Sequence, residues 1–323
     1  MRTYLLPESG TFYKVNMHSH STLSDGRQTP EELKEAYLAM GYSAIAFTEH
    51  TNIFDLSHLT DENFVAITAY EMDMGRWDKA PFSYYEGEPM CRDHLEQIHL
   101  NLYAKDPHKN ETVYIKDLRE KFCAENINEA IRRAKEAGFL VVYNHPHWSL
   151  NNHSLYANLR GLDGIEIVNG ASDRSSDLDY SPLVYDEMAR ERIRMPMCVG
   201  GDDNHGTHHF GLAYTMVKAD ALTYDALLGA LEAGNCYASS GPEIHELYAE
   251  DGVVTIRTSE AQGIFCSTIG RRKLVNLSEH GAPLVTEAKF RIDPKDCFFR
   301  ITVRDASGKH ANTRIYYVDE IGL

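Results

Sequence analysis

The sequence predicts an α/β fold followed by a small β-rich C-terminal domain. Two observations predict it. Over the first two thirds of the chain, short apolar β-branched runs alternate with helical segments, which is the pattern of a parallel sheet or a (β/α) barrel. After Ser239-Ser240-Gly241-Pro242 the helical segments stop and strand-like runs take over. The boundary falls near residue 240, giving a first domain over 1–240 and a second over 241–323.

The expected strands of the first domain cover 15–17, 44–47, 65–70, 98–102, 140–143, 165–168, 197–199 and 212–217. One helix opens at Thr29-Pro30-Glu31-Glu32, where an N-cap, a proline at the first helical position and a capping-box glutamate coincide. It continues through Leu33, Tyr37 and Leu38 and stops at Gly41. Two further helices are expected over 128–137 and 223–233, each followed by glycine. In the second domain, 253–256, 298–303 and 315–318 read as strands, with Asp251-Gly252 and Ser307-Gly308 as turns. Residues 72–95, which include Trp77, Pro81, Tyr84 and Tyr85, read as a loop inserted beside one strand end.

The chain has 323 residues, 43% of them hydrophobic, and a formal net charge of -16. Such an acidic surface repels nucleic acid polymers and anionic membranes, although bound metals can reverse the sign locally and admit an anionic substrate. The six cysteines contain no C-x-x-C pair, and no apolar run resembles a signal peptide or a membrane span. The expectation is a cytoplasmic protein with free thiols.

Histidine is the unusual residue, with 16 copies. His18 and His20 lie two apart, and so on one face of an extended chain, with Asp25 just after. His50 ends the run at 44–47, Glu71 the run at 65–70 and His145 the run at 140–143. His99 lies within 98–102, and Asp203 and His205 follow 197–199. One strand-end histidine alone is more often a satisfied structural group. Nine such residues beside six apolar runs exceed what one tetrahedral ion needs, and imidazole with carboxylate suits Zn, Mn or Fe.

His18-Ser19-His20-Ser21-Thr22-Leu23-Ser24-Asp25-Gly26, Thr48-Glu49-His50, Asn144-His145-Pro146 and Gly201-Asp202-Asp203-Asn204-His205-Gly206 resemble, in order, the four motifs of the PHP (polymerase and histidinol phosphatase) family. The resemblance covers about residues 12–240. It implies a distorted (β/α)7 barrel holding two or three divalent metal ions. The implied ligands are His18, His20, Asp25, His50, Glu71, His99, His145, Asp203 and His205, with Glu71 bridging two ions. His94 competes with His99, and Asp202 with Asp203. Glu49 replaces the usual aspartate of the second motif, and Asn16 stands where an acidic residue is usual. Tyr4-Leu5-Leu6-Pro7 and the segment from Phe299 to Gly308 resemble the CehA/McbA-type branch, which includes carbamate hydrolases.

The resemblance implies a metal-dependent phosphoesterase that cleaves a small-molecule phosphate ester, a phosphomonoester or a nucleotide, by attack of metal-bound hydroxide. Glu71, Asp203, His205 and His147 are the expected catalytic residues, and Arg27, His147 and Arg174, the last expected in a loop after the strand at 165–169, the expected phosphate contacts. The alternatives are hydrolysis of a carbamate, ester or amide on the same metals, and a non-catalytic metal-binding module.

Overall fold

The computed structural model describes residues 2–75, 97–119, 121–178, 180–270, 273–279 and 282–322. After β1 (Thr3–Tyr4), strand β2 (Thr11–Asn16) leads to α1 (Pro30–Ala39) and β3 (Ala44–Phe47). The capping box of Thr29 and Glu32 starts α1, whose Leu33 and Tyr37 are buried. Next come β4 (Val65–Gly75), β5 (Gln97–Ala104), α2 (Ala124–Glu136) and β6 (Phe139–Tyr143). Then follow α3 (His153–Tyr156), β7 (Gly164–Asn169), α4 (Gly170–Ser176), α5 (Pro182–Arg190) and β8 (Met197–Gly201). The run closes with β9 (Tyr214–Ala219), α6 (Tyr224–Glu232) and β10 (Cys236–Ser239). The result is a mixed α/β fold with a large sheet.

In that sheet the strand order is β10-β9-β2-β3-β4-β5-β6-β7-β8. Strands β2, β3 and β4 are parallel, as are β6, β7 and β8. Strand β5 runs antiparallel to both β4 and β6, a departure from the expected parallel alternation. The sheet curls back on itself. The Asp203 N–H bonds the His18 carbonyl at 2.8 Å, Ser19 forms a bridge with Asn204, and Thr215 Oγ1 bonds both the N–H and the carbonyl of Gly200.

Inside the curl lies one apolar layer, built from Val15, Met17, Ala44, Ala46, Val65, Ile67, Ala69, Tyr103, Leu140, Val142, Met197 and Val199. Alternate residues of the same strands, such as Tyr70, Met72, Ile98, Leu100, Leu102, Ile165 and Ile167, join an outer core that also takes in α2 and α5. The amphipathic α2 starts at Ala124 rather than 128, because Ile127 also packs into that core. Helices α3, α4 and α5 lie in stretches where no helix is expected from the sequence.

The remaining strands are β11 (Ile244–Glu250), β12 (Val253–Ala261), β13 (Gly263–Thr268), β14 (Lys273–Leu277), β15 (Val285–Arg291), β16 (Phe298–Arg304), β17 (His310–Thr313) and β18 (Tyr316–Tyr317). The run expected as a strand over 315–318 is only two residues of strand, followed by the one-turn α7 (Val318–Ile321). Strand β17 pairs with β10, so the large sheet continues through β17, β16, β13 and β14. A second sheet, ordered β1-β11-β12-β15, packs on this extension through Leu247, Val254, Ile256, Ile264, Phe299 and Ile301. The loop expected over 72–95 starts later than 72, since β4 runs to Gly75, and the rest of it lies outside the described residues. His94 lies outside them too. Among the described residues no helix is long and apolar enough to cross a membrane, and Cys123, Cys198, Cys236 and Cys297 form no disulfide.

Candidate metal centre

Period-two alternation builds the site on top of the inner apolar layer. On β4 the face carrying Val65, Ile67 and Ala69 continues into Glu71 and Asp73. On β3, Ala44 and Ala46 lead to Thr48 and His50, and on β8, Met197 and Val199 lead to Gly201 and Asp203. On β5 the inner face holds Tyr103, Asn101 and His99. Because β5 is reversed, its beginning lies at the edge where its neighbours end, and His99 pairs with Asp73. On β7 the same parity turns Glu166 inward. His145 and Asp203 have positive φ angles of 22° and 50°, a backbone that non-glycine residues adopt only where their surroundings enforce it.

All nine sequence-predicted ligands meet here. His18 Nε2, His20 Nε2 and Asp203 Oδ1 lie 3.0–3.3 Å apart, with the two Glu71 oxygens 3.5 Å from the imidazoles. On its other side Glu71 Oε1 is 3.1 Å from His99 Nδ1 and 3.2 Å from His145 Nε2. A third group joins Asp25 Oδ2 to His50 Nε2 at 3.6 Å and to His205 Nε2 at 3.3 Å, with His20 Nδ1 3.7 Å from Asp25 Oδ1. A tetrahedral ion with bonds of ~2.1 Å sets its ligands about 3.4 Å apart, so this is ligand spacing. Five buried atoms, His20 Nδ1, His50 Nδ1, Asp73 Oδ1, His99 Nε2 and Asp203 Oδ1, have no partner in hydrogen-bonding geometry. Buried polar atoms are normally satisfied, and an ion among them would satisfy them. The donor set therefore fits divalent metals.

The surrounding residues aim these ligands. Glu166 Oε1 lies 3.0 Å from His18 Nδ1, which turns Nε2 toward Glu71 and Asp203. Glu166 Oε2 accepts from Asn169 Nδ2 and from the His145 N–H. His205 Nδ1 donates to the Asp203 carbonyl, and His145 Nδ1 shares a hydrogen bond with Ser149 Oγ. Asp202 points away from the cluster and accepts from the N–H groups of Gly211, Leu212 and Ala213 and from the Tyr37 hydroxyl. Glu49 accepts from the backbone and hydroxyl of Ser21 and from the Ser24 hydroxyl, holding the loop that carries Asp25. Asn16 Oδ1 accepts from the N–H groups of His18 and Asp202. At both positions that depart from the family motif, the side chain braces the ligand loops.

Burial penalises every charge in the cluster, yet Asp203, Glu166 and Glu71 hold the His18 imidazole well above its ordinary range. The same contest lifts His50 to about 9, through Asp73 and Glu71, and His145 to about 9, through Glu71 and Asp203. Burial also works against ionised Glu71 and Asp203, but the imidazoles outweigh it and hold both well below the usual carboxylate range. The contact with His205 draws Asp25 down to about 2.

The expected phosphate contacts are more scattered. Arg27 is exposed, and its Cδ approaches Gly206, beside His205. His147 is half-buried, with Nδ1 3.3 Å from Ser181 Oγ. Arg174 belongs to helix α4 rather than to a loop; it is exposed, and its charge acts on His209. His209 Nδ1 in turn accepts from the His205 N–H. Sequence reasoning missed Asp73 and Glu166. Asp73 repeats the position of Glu71 two residues on, and Glu166 is the one acid inside the apolar run at 165–168, so both left a signal.

Solved structures similar to this chain include a two-domain protein from Bacteroides vulgatus containing a predicted PHP-like metal-dependent phosphoesterase. It is 16% identical, with 97% of each chain covered and a TM-score of 0.48. A protein from Bifidobacterium adolescentis assigned as a metal-dependent phosphoesterase is 16% identical, covering 71% of this chain and 97% of its own, with a TM-score of 0.36. An amidohydrolase from Chromobacterium violaceum, with bound sulfate and no metal, is 14% identical, covering 69% of this chain and 96% of its own, with a TM-score of 0.35. No curated protein matches the chain. Residues 16–114, which carry His18, His20, Asp25, His50, Glu71 and His99, match the family model of the PHP domain.

Proposed function

We propose that this protein is a metal-dependent phosphoesterase acting on a small-molecule phosphate ester. In this reading, residues 1–240 form a distorted (β/α)7 barrel of PHP type and 241–323 a β-rich domain. The observation that carries the reading is the convergence of nine histidine, aspartate and glutamate side chains, Glu71 among them, at ligand spacing. His18, His20, Asp203 and Glu71 would hold one ion; Glu71, His99 and His145 a second; Asp25, His50 and His205 a third. Bound there, Zn, Mn or Fe would supply an activated water and neutralise charge on the phosphoryl oxygens. Glu71 lies between two of the groups and would be the carboxylate they share. Arg27, His147 and Arg174 are the side chains offered to the phosphate, with Arg27 and His147 each two residues from a proposed ligand.

The test is Glu71→Gln, with metal content and hydrolysis of phosphate monoesters, nucleotides and carbamates measured on one preparation. The variant should lose at least one ion and nearly all activity while remaining folded, because a neutral amide is a poor bridge. Wild-type protein with full metal occupancy that cleaves carbamates or amides, and no phosphate ester, would replace this reading with the carbamate-hydrolase one.

A further inference from the structure

Strand β4 brings one more acid to the cluster than the nine ligands account for. Its inner face runs through Val65, Ile67, Ala69, Glu71 and Asp73, so the parity that aims Glu71 at the cluster aims Asp73 there too. Asp73 also pairs with His99 across β4 and β5, and directly opposed residues share a face of the sheet. The Asp73 side chain is 15% exposed, and its Oδ1 is buried without a hydrogen-bond partner.

The atoms around that oxygen are metal-binding atoms. Oδ1 lies 3.6 Å from His99 Nδ1 and 3.4 Å from His50 Nδ1, and Glu71 Oε1 lies 3.1 Å from the same His99 nitrogen. Among the described residues no lysine or arginine pairs with the carboxylate; Arg119 Nη2 donates to the Asp73 backbone carbonyl instead, at 2.8 Å. A carboxylate withdrawn from water needs a cation or donors to offset its lost hydration. His99 cannot be that donor if Nδ1, the atom facing Glu71, binds an ion, because a metal-bound nitrogen carries no proton. The charge that offsets Asp73 is then the ion itself.

We propose that Asp73 is a tenth ligand of the centre, binding through Oδ1 the ion held by Glu71, His99 and His145. This rests on the metal reading of the cluster and not on which bond the protein cleaves. The other three ligands leave one tetrahedral position for a fourth, and 3.6 Å from His99 Nδ1 is close to the spacing that bonds of about 2.1 Å impose. The ion so held has two carboxylates, one from each of two inward positions on β4, and two imidazoles.

Anomalous diffraction at the zinc edge, on crystals of zinc-loaded protein dialysed free of excess metal, locates the ions without reference to activity. Wild type should show a zinc bonded to Glu71 and His99 that is also ~2.0–2.2 Å from Asp73 Oδ1. Asp73→Asn keeps the shape of the side chain and should weaken binding of that one zinc at least about tenfold in competition with a chromophoric chelator. The zinc among His18, His20 and Asp203 should remain in the variant, which shows that it is folded; if the variant does not fold, the wild-type map alone decides. A zinc at Glu71 and His99 that lies beyond ~3 Å from Asp73 overturns the tenth ligand, since no first-shell bond is that long. So does an Asp73→Asn protein that binds every zinc with wild-type affinity. Wild type without zinc at Glu71 and His99 overturns that ion of the proposed centre, and the tenth ligand with it.

Discussion

Replacing Glu166 with glutamine should weaken metal binding by roughly ten- to a hundredfold without unfolding the chain. The wild-type carboxylate uses one oxygen on His18 Nδ1, at 3.0 Å, and the other on Asn169 Nδ2 and the His145 N–H, at 3.0 and 3.2 Å. Glutamine has the same shape but only one accepting oxygen. If that oxygen faces His18, the amide N–H2 confronts two donors. If it faces those donors, the His18 ring must accept at Nδ1 and carry its proton on Nε2, the atom needed for the metal. Either way at least one charge-assisted bond is lost, worth ~1.5–3 kcal/mol. At about 1.4 kcal/mol per decade, that corresponds to a factor of about 10 to 100. Competition with a chromophoric chelator measures the affinity, and denaturant unfolding of the metal-free protein measures the fold. An affinity within twofold of wild type would refute the claim that Glu166 sets the His18 tautomer. Loss of the unfolding transition would show that Glu166 acts on the fold instead.

Three further predictions concern stability and pH. Asp202→Asn should destabilise the metal-free protein by about 2–4 kcal/mol in denaturant melts, because an amide cannot accept from three backbone N–H groups and a phenol as a carboxylate does. With His50 and His145 lifted to about 9, an ion binding at pH 7 must displace protons from them. Apparent metal affinity should therefore rise between pH 6 and 9, and calorimetry in buffers of different ionisation enthalpy should report proton release. For the metal-free protein the sign is the opposite. Raised imidazoles stabilise fully below the unfolded value near 6.5, and that stability is lost as pH rises through 9. Depressed Glu71 and Asp203 lose theirs as pH falls below the ordinary carboxylate range. Metal-free stability should peak between about pH 5 and 6.5, and a melt series in which it keeps rising to pH 9 would contradict the assignment.

Much of this site could be read from the sequence, because strand-end chemistry is local. An apolar run that stops at an ionisable residue needs no knowledge of neighbouring strands, and this rule places His50, Glu71, His145 and Asp203. Glu166 escaped because it interrupts a run instead of ending one, and its inward direction follows only from the parity of Gly164 and Glu166 on β7. The reversal of β5 was equally hidden. Alternating strands and helices imply parallel crossovers, and the chain between β4 and β5 carries no sign of direction. Arg174 was misplaced for a related reason. Helix α4 follows β7 without a loop, capped by the Asn169 side chain accepting from the Ser172 N–H, so no turn residues mark its start. In the sequence only the Asp-x-His spacing favours Asp203 over Asp202, and the structure separates them through the donors that surround Asp202.

The seam where the sheet curls back has a consequence for how the protein comes into being. His18 and Asp203 meet there through a backbone bond spanning more than half the chain, and β2 finds its antiparallel neighbour β9 only after some two hundred intervening residues. Contacts of such sequence separation form late, because loop closure must precede any gain from pairing. On the ribosome the earliest histidines of the cluster would wait, exposed, for the segment that completes it. Capture of an ion therefore reports the end of folding: in refolding experiments, metal-dependent signals should appear with the slowest phase and not with the first collapse.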